Sequence, residues 1–190
     1  MSPADAFDPV RQALERAGVR YAIGGSWAST TFGEPRFTND IDILADFNEA
    51  NLPVFLRGLP NTFYFDADEA LAALKRGRSF NVIYMPAAFK FDFFPAAAFA
   101  LGRQELERAV YLSDTGLTKA PAPFVTPEDI ILAKLFWYRL GGNESEVQWR
   151  DLNGVALNYA GGLDQAYLQS GAEILGVGDL LKRLLTGDWA

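Results

Sequence analysis

Asp40 and Asp42 stand two residues apart in a stretch, 38–46, where acids and apolar residues alternate. On a strand the side-chain period is two, so both carboxylates face one way while Ile41 and Ile43 face the other. Alone, such a pair is unfavourable, because like charges a few ångströms apart repel and burial raises their pKa values. A bound dication reverses that cost. A third acid, Asp92, lies in the apolar run Phe89-Lys90-Phe91-Asp92-Phe93-Phe94. An acid there either pairs with Lys90 or an arginine, or joins the other two as a metal ligand.

Gly24-Gly25-Ser26 supplies a second chemical element. Glycine lets backbone amides approach a phosphate closely, and the start of a helix favours anions. The Ser26 hydroxyl can add a donor to a β- or γ-phosphate. A phosphate-binding turn beside metal-binding acids suits phosphoryl chemistry on a nucleoside triphosphate. Two metals about 3.5–4 Å apart could polarise the α-phosphate and activate an attacking hydroxyl. In that arrangement Asp40 and Asp42 bind metal directly. Asp92 bridges the second metal or acts as general base.

The composition narrows the alternatives. The chain has 190 residues with no cysteine and no histidine. Disulfides, zinc–thiolate sites, cysteine nucleophiles and Ser-His-Asp triads are therefore excluded. The remaining hard oxygen ligands suit Mg²⁺ or Mn²⁺. A net charge of −7 gives no general attraction for a nucleic-acid backbone. With 15 Phe, 7 Tyr and 4 Trp the chain can form a real core. The N-terminal segment carries acids and lacks the basic start and apolar run of a leader. No stretch reaches about 18 apolar residues, so no membrane span is expected, and a cytoplasmic protein is the default.

The elements that must position these residues can be read along the chain. Phe7, Val10, Leu14 and Ala17 recur at helical spacing and predict a first helix ended by Gly18. A short strand over 19–23 leads into the glycine turn, and a short helix over 26–32 follows. The acid-bearing strand spans 38–46. Helices are expected over 48–56, capped by Asn48, and over 66–75. Two apolar strands over 79–85 and 88–94 are joined at Pro86. Strands over 110–112 and 117–120 flank the turn signal Ser113-Asp114-Thr115-Gly116. Thr126-Pro127-Glu128-Asp129 then starts a helix apolar nearly all round, which should be buried. Gly141-Gly142 ends it, and further helices follow over 144–159 and from 164 onward. This predicts an α/β region over 1–122 and a helical region over 123–190.

The set Gly24-Gly25-Ser26, Gly33, Arg36, Thr38, Asp40 and Asp42 resembles the minimal nucleotidyltransferases of the DNA polymerase β superfamily. Its Arg-x-Thr-x-Asp-x-Asp wording looks most like the AbiEii abortive-infection toxin branch. Pro127-Glu128-Asp129-Ile130, Lys134-Leu135 and Arg150-Asp151 are similar to that family's helical motifs. In the toxin branch the last motif carries a second acid, where this chain has Gly154. The resemblance implies an α/β (α+β) fold: a short mixed sheet flanked by helices, followed by a small C-terminal helical subdomain. It also implies a Mg²⁺–NTP complex, transfer of a nucleoside monophosphate to an acceptor, and, in the toxin branch, a neutralising antitoxin partner.

The supporting residues carry two readings each. Arg36 either contacts phosphate or pairs with an acid. Thr38 either supports the strand and loop or, as a nucleotide-binding residue, touches substrate. Lys134 either snorkels from an apolar helix or, as the resemblance implies, reaches the triphosphate. Asp151 either pairs with Arg150 or Lys134 or takes a role in the site. Trp137, Tyr138 and Trp149 are expected to pack in the core. The functional expectation is a nucleotidyltransferase acting on a hydroxyl of RNA, protein or a small molecule. The alternative is a non-catalytic nucleotide- or partner-binding module on the same fold.

Overall fold

The computed structural model describes residues 3–118, 120–159 and 162–187. The alternating acid segment forms β2 (Asp40–Ala45), the middle strand of a seven-stranded mixed sheet. The strand order is β3 (Phe63–Tyr64), β4 (Phe80–Tyr84), β5 (Phe89–Pro95), β2, β1 (Tyr21–Ile23), β7 (Ala122–Phe124) and β6 (Val110–Leu112). β2 runs parallel to β5, and β1 runs parallel to β7; the other neighbours are antiparallel. Parallel partners need a long crossover. Between β2 and β5 it contains α3 (Asn51–Gly58), β3, α4 (Ala67–Lys75) and β4.

The sheet separates two kinds of face. On β5 the residues Phe89, Phe91 and Phe93 are buried, while Lys90, Asp92 and Phe94 alternate with them at intermediate exposure. Phe93 packs against Phe47, Phe55 and Phe80, with ring centroids 5.7, 5.1 and 5.2 Å away. Burying such rings stabilises by roughly 1.5–3 kcal/mol each. α1 (Pro3–Arg16) buries Phe7, Val10 and Leu14 and packs on α3. The acids are carried on the sheet face opposite the Phe93 cluster.

α2 (Gly25–Phe32) packs against β2, α6 (Pro127–Leu140) and α7 (Glu146–Asn158). α6 begins as expected, with the Thr126 hydroxyl accepting from Asp129 N–H, and buries Ile130, Ile131, Leu132 and Leu135. α8 (Gln165–Leu175) packs on α6, and α9 (Gly178–Thr186) packs on α7 and α8. Among the described residues no helix is long and apolar enough to cross a membrane.

Four local expectations need correction. Residues 117, 118 and 120 are not in a strand, and Lys119 lies outside the described residues. The strand is β7, which carries Pro123; its tie to β1 uses Val125 N–H on Ile23 O at 3.0 Å, so the donor that proline lacks is not required there. Pro121 and Pro123 therefore misled the reading, and the sheet's last strand runs across residue 122. The helix expected from Asn48 begins at Asn51, because the Asn48 side chain closes a turn by accepting from Ala50 and Asn51 N–H. α5 (Gly102–Arg108) and the two-residue β3 were not anticipated as elements. α5 has only one large apolar residue, Leu106, and so no periodic signal.

Candidate active site

β1 ends at Ile23 and the chain turns through Gly24 into α2. Gly24 N–H donates to Asp42 O at 2.9 Å, which pins the turn to β2. Gly25 adopts φ +56°, a left-handed value that glycine tolerates. A Cβ on Gly25 would lie 1.7 Å from Asp42 Oδ2, so the absent side chain leaves the room that the carboxylate fills. Ser26 N–H donates to the same carboxylate. The glycine turn thus cradles Asp42 and sets the acid at the start of a helix.

Register places the acids together. Asp42 is the direct neighbour of Asp92 across β2 and β5, and Asp40 is the neighbour of Lys90. Burial, then the charges of Asp40 and Asp92, push the Asp42 carboxyl up to about 6, against the pull of Ser26 N–H and Lys134. Thr38 Oγ1 donates to Asp40 Oδ1 at 2.5 Å. Lys90 Nζ meets Asp92 Oδ2 at 2.7 Å, and this contact raises the Lys90 pKa. The pairing of Asp92 with Lys90 is the structural alternative weighed above, and it is realised here.

The donor set fits a divalent cation in type, as hard carboxylate oxygens on one sheet face. Three carboxylates share one sheet face, near enough for Asp42 to feel both neighbours. They do not converge on a single point: among the described residues no three acids form a ready-made cage, and Asp92 is turned toward Lys90. Asp40 and Asp42 are the residues that would hold a metal, and Asp92 could join on leaving Lys90.

The expected cations meet at Asp151 on α7. Arg36 Nε lies 3.1 and 3.2 Å from the two Asp151 oxygens, and Lys134 Nζ from α6 lies 2.9 Å from Oδ2. Arg36 also donates to Ser26 Oγ. Lys134 is buried, so it is no snorkelling side chain. Burial opposes ionisation of Asp151, but Lys134 and then Arg36 outweigh it and hold its carboxyl below the ordinary range.

A cleft of about 910 Å³ opens between this sheet face and the helices, and Gly24, Gly25, Ser26, Arg36, Asp42 and Lys134 all line it. Asp40, Asp92 and Thr38 stand beside the lining rather than in it. Trp137 also lines the cleft and is 44% exposed, contrary to the expected core position, while Tyr138 is buried against Trp149 at 5.2 Å.

Sequence reasoning missed three features. Asp151 makes the expected pair with Lys134, but its second cation, Arg36 from a separate segment, was not foreseen. Glu105, on the unforeseen α5, lines the cleft. Gly154, where the resemblance implies an acid, is a contact point: a Cβ there would lie 3.1 Å from Glu34 N, and one on Gly33 would lie 2.8 Å from Gly154 C. The pair of glycines in loop and helix was the available signal.

Fold and site define a mixed α/β protein whose central sheet presents Asp42 to a cleft beside a glycine turn. No family profile matches the chain, and no curated protein does. Solved structures do. The chain is similar to the antibiotic-resistance factor ANT(2'')-Ia at 17% identity, covering 97% of this chain and 93% of that one, with a TM-score of 0.49. It is similar to JHP933 from Helicobacter pylori at 14% identity, over 94% and 72% of the two chains, with a TM-score of 0.49. A candidate nucleotidyltransferase from H. pylori is similar at 13% identity, over 96% of each chain, with a TM-score of 0.37.

Proposed function

We propose that this protein is a cytoplasmic, Mg²⁺-dependent nucleotidyltransferase that moves a nucleoside monophosphate from an NTP to a hydroxyl acceptor. The observation that carries the reading is the seating of Asp42 in the space left by Gly25, with Asp92 as its neighbour in register. A phosphate-binding turn and a pair of acids are thereby held within one side chain's reach.

The residues divide the work as follows. The amides at the start of α2 and the Ser26 hydroxyl hold the β- and γ-phosphates. Arg36 and Lys134 turn part of their charge from Asp151 to the triphosphate. Mg²⁺ or Mn²⁺ held by Asp40 and Asp42 would supply charge neutralisation and polarise the phosphate oxygens. Asp92 takes the proton of the acceptor hydroxyl as its oxygen bonds to the α-phosphorus, and the bond to pyrophosphate breaks with its electron pair on the leaving oxygen. Lys90, 2.7 Å from Asp92 Oδ2, holds that carboxylate in place until then. Residues 1–122 would form the catalytic unit and 123–190 the helical subdomain that carries Lys134.

Calorimetry with NTP, with and without Mg²⁺, tests the reading, alongside transfer of labelled NMP in cell extract. Native protein should bind NTP only with the metal and transfer label, and Asp42→Ala should fall to background. Equal transfer by both proteins sinks the reading. A second reading, a non-catalytic binding module, is favoured by the internal pairing of Arg36, Lys134 and Lys90 with acids. Metal-dependent binding without transfer to any acceptor would support that one. A toxin role with a neutralising partner, as in the AbiEii branch, predicts growth arrest on induced expression; normal growth removes it.

A further inference from the structure

We propose that the part of the cleft beyond the acids, floored by Leu44 and Phe94 and walled by Phe99 and Trp137, holds the acceptor, an apolar-bodied amino alcohol whose ammonium sits on Glu105. The role of acceptor rests on the nucleotidyltransferase reading; the ligand class does not.

The floor changes character in one step of the pleat. Asp42 pairs with Asp92, and the next pair on the same face, about 6.6 Å along, is Leu44 with Phe94. A hydroxyl that gives its proton to Asp92 must approach over β5. The body attached to that hydroxyl then lies on Phe94, two residues along the same strand. Phe94, Phe99 and Trp137 form a mutual set of edge-on rings, with centroids 6.1, 6.4 and 6.2 Å apart. Trp137 is 44% exposed and Leu140 is 61% exposed, both on the cleft. Apolar surface left open in a concave site is what an apolar ligand covers.

Glu105 gives the chamber its charge preference. It lines the cleft with no side-chain hydrogen bond or ion pair among the described residues, and burial, then the charge of Asp129, push its carboxyl up to about 8. The nearby cation, Arg108, is already engaged. It lies 3.7 Å from Asp129 Oδ2, 3.5 Å from Glu128 Oε2, and 3.7 Å from the centre of the Tyr167 ring. Asp129 is satisfied by Thr126 and Tyr167 hydroxyls at 2.7 and 2.5 Å. The described residues supply no counter-ion for Glu105, and an ammonium would be one. A polar polyamine would leave the aromatic walls wet, and a neutral apolar molecule would leave the carboxyl unpaired. At about 910 Å³ the cleft lies at the large end for small-molecule sites, which suits a nucleotide and a second molecule together.

Binding of three probes to the full chain tests this by calorimetry and tryptophan fluorescence: 2-amino-1-(2-naphthyl)ethanol, its neutral partner 1-(2-naphthyl)-1,2-ethanediol, and the polar 1,3-diamino-2-propanol. The aryl amine should bind at least tenfold tighter than either other probe. Glu105→Gln should abolish its advantage over the diol, and Trp137→Ala should weaken both aryl probes severalfold. Thermal melts check that each variant is folded, and Glu105→Asp should keep part of the preference. An amine that binds no better than the diol, or a preference unchanged in Glu105→Gln, overturns the inference. Mg²⁺–NTP titrations on the same native sample separate the two readings. NTP binding without amine preference sinks this inference alone; amine preference without NTP binding or transfer sinks the nucleotidyltransferase reading and leaves the chamber.

Discussion

The carboxylate of Asp42 occupies the space that a side chain on Gly25 would need, with a Cβ at residue 25 falling 1.7 Å from Asp42 Oδ2. This makes the glycine a condition for the acid rather than merely a flexible turn residue. Gly24 is different, since a Cβ there would find only ordinary contacts, 3.8 Å to Val125 and 4.0 Å to Asp42 O.

Gly25→Ala should therefore displace Asp42 as well as strain a backbone at φ +56°. Positive φ costs roughly 1 kcal/mol for a non-glycine residue and overpacking about 1–3 more. The expected result is a lower melting temperature and at least a tenfold loss of Mg²⁺–NTP affinity. Gly24→Ala, measured beside it by melting and calorimetry, should lose much less of both.

Asp151→Asn removes the partner of a buried lysine and half-buried arginine. Breaking a buried pair at one end costs about 3–5 kcal/mol, because the other charge is left uncompensated. The double variant Asp151→Leu with Lys134→Met should regain much of that stability in urea unfolding, yet bind NTP poorly. The pH sign follows from the depressed Asp151 carboxyl. Its stabilisation is full above its unfolded pKa of about 3.9 and is lost as pH falls through the lower folded value. The acid limb of a stability–pH curve should be shallower in the double variant.

Glu105 acts in the opposite direction. Its carboxyl is pushed up to about 8 in the folded protein, against about 4.3 when unfolded. Between those values the folded state holds a proton that the unfolded state does not, so stability falls as pH rises. Glu105→Gln should melt higher than native protein at pH 8–9, and the two should approach each other near pH 4–5. Melting curves across that range check it.

Gly154→Asp would restore the acid that the toxin-branch motif carries, but the helix surface there is already taken. Loop residue Glu34 presses on Gly154, with its N 3.1 Å and its Cγ 3.3 Å from where a Cβ would be. The variant should be destabilised by roughly 1–3 kcal/mol in urea unfolding and should gain no metal affinity. Stability equal to native would show that loop 33–35 yields freely.

Much of the site was legible before the fold. A strand period of two puts Asp40 and Asp42 on one face whatever surrounds them, and glycine before a hydroxyl at a strand end marks an anion turn. The neighbour of Asp42 was legible only as a residue type: Asp92 stood out as an acid among phenylalanines. Its pairing in register with Asp42 needed β2 and β5 to lie parallel, with partners 50 positions apart across a crossover and no local signal to set the alignment. The strand at Ala122–Phe124 was hidden by prolines, and α5 by a composition with no apolar stripe.

Residue chemistry and short-range periodicity thus decided what this protein holds: paired carboxylates on one strand face, a glycine turn, no thiol or imidazole, and a buried first helix of the tail. Those properties depend on neighbours within a few positions, so the sequence contains them in full. The tertiary structure alone decided how they face one another. It seated Asp42 against Gly25, drew Arg36 and Lys134 onto Asp151, and left Glu105 without a counter-ion among the described residues, in a cleft that has an aromatic wall. Each of these depends on packing between elements distant in the chain, where shape and desolvation rather than spacing choose the partner.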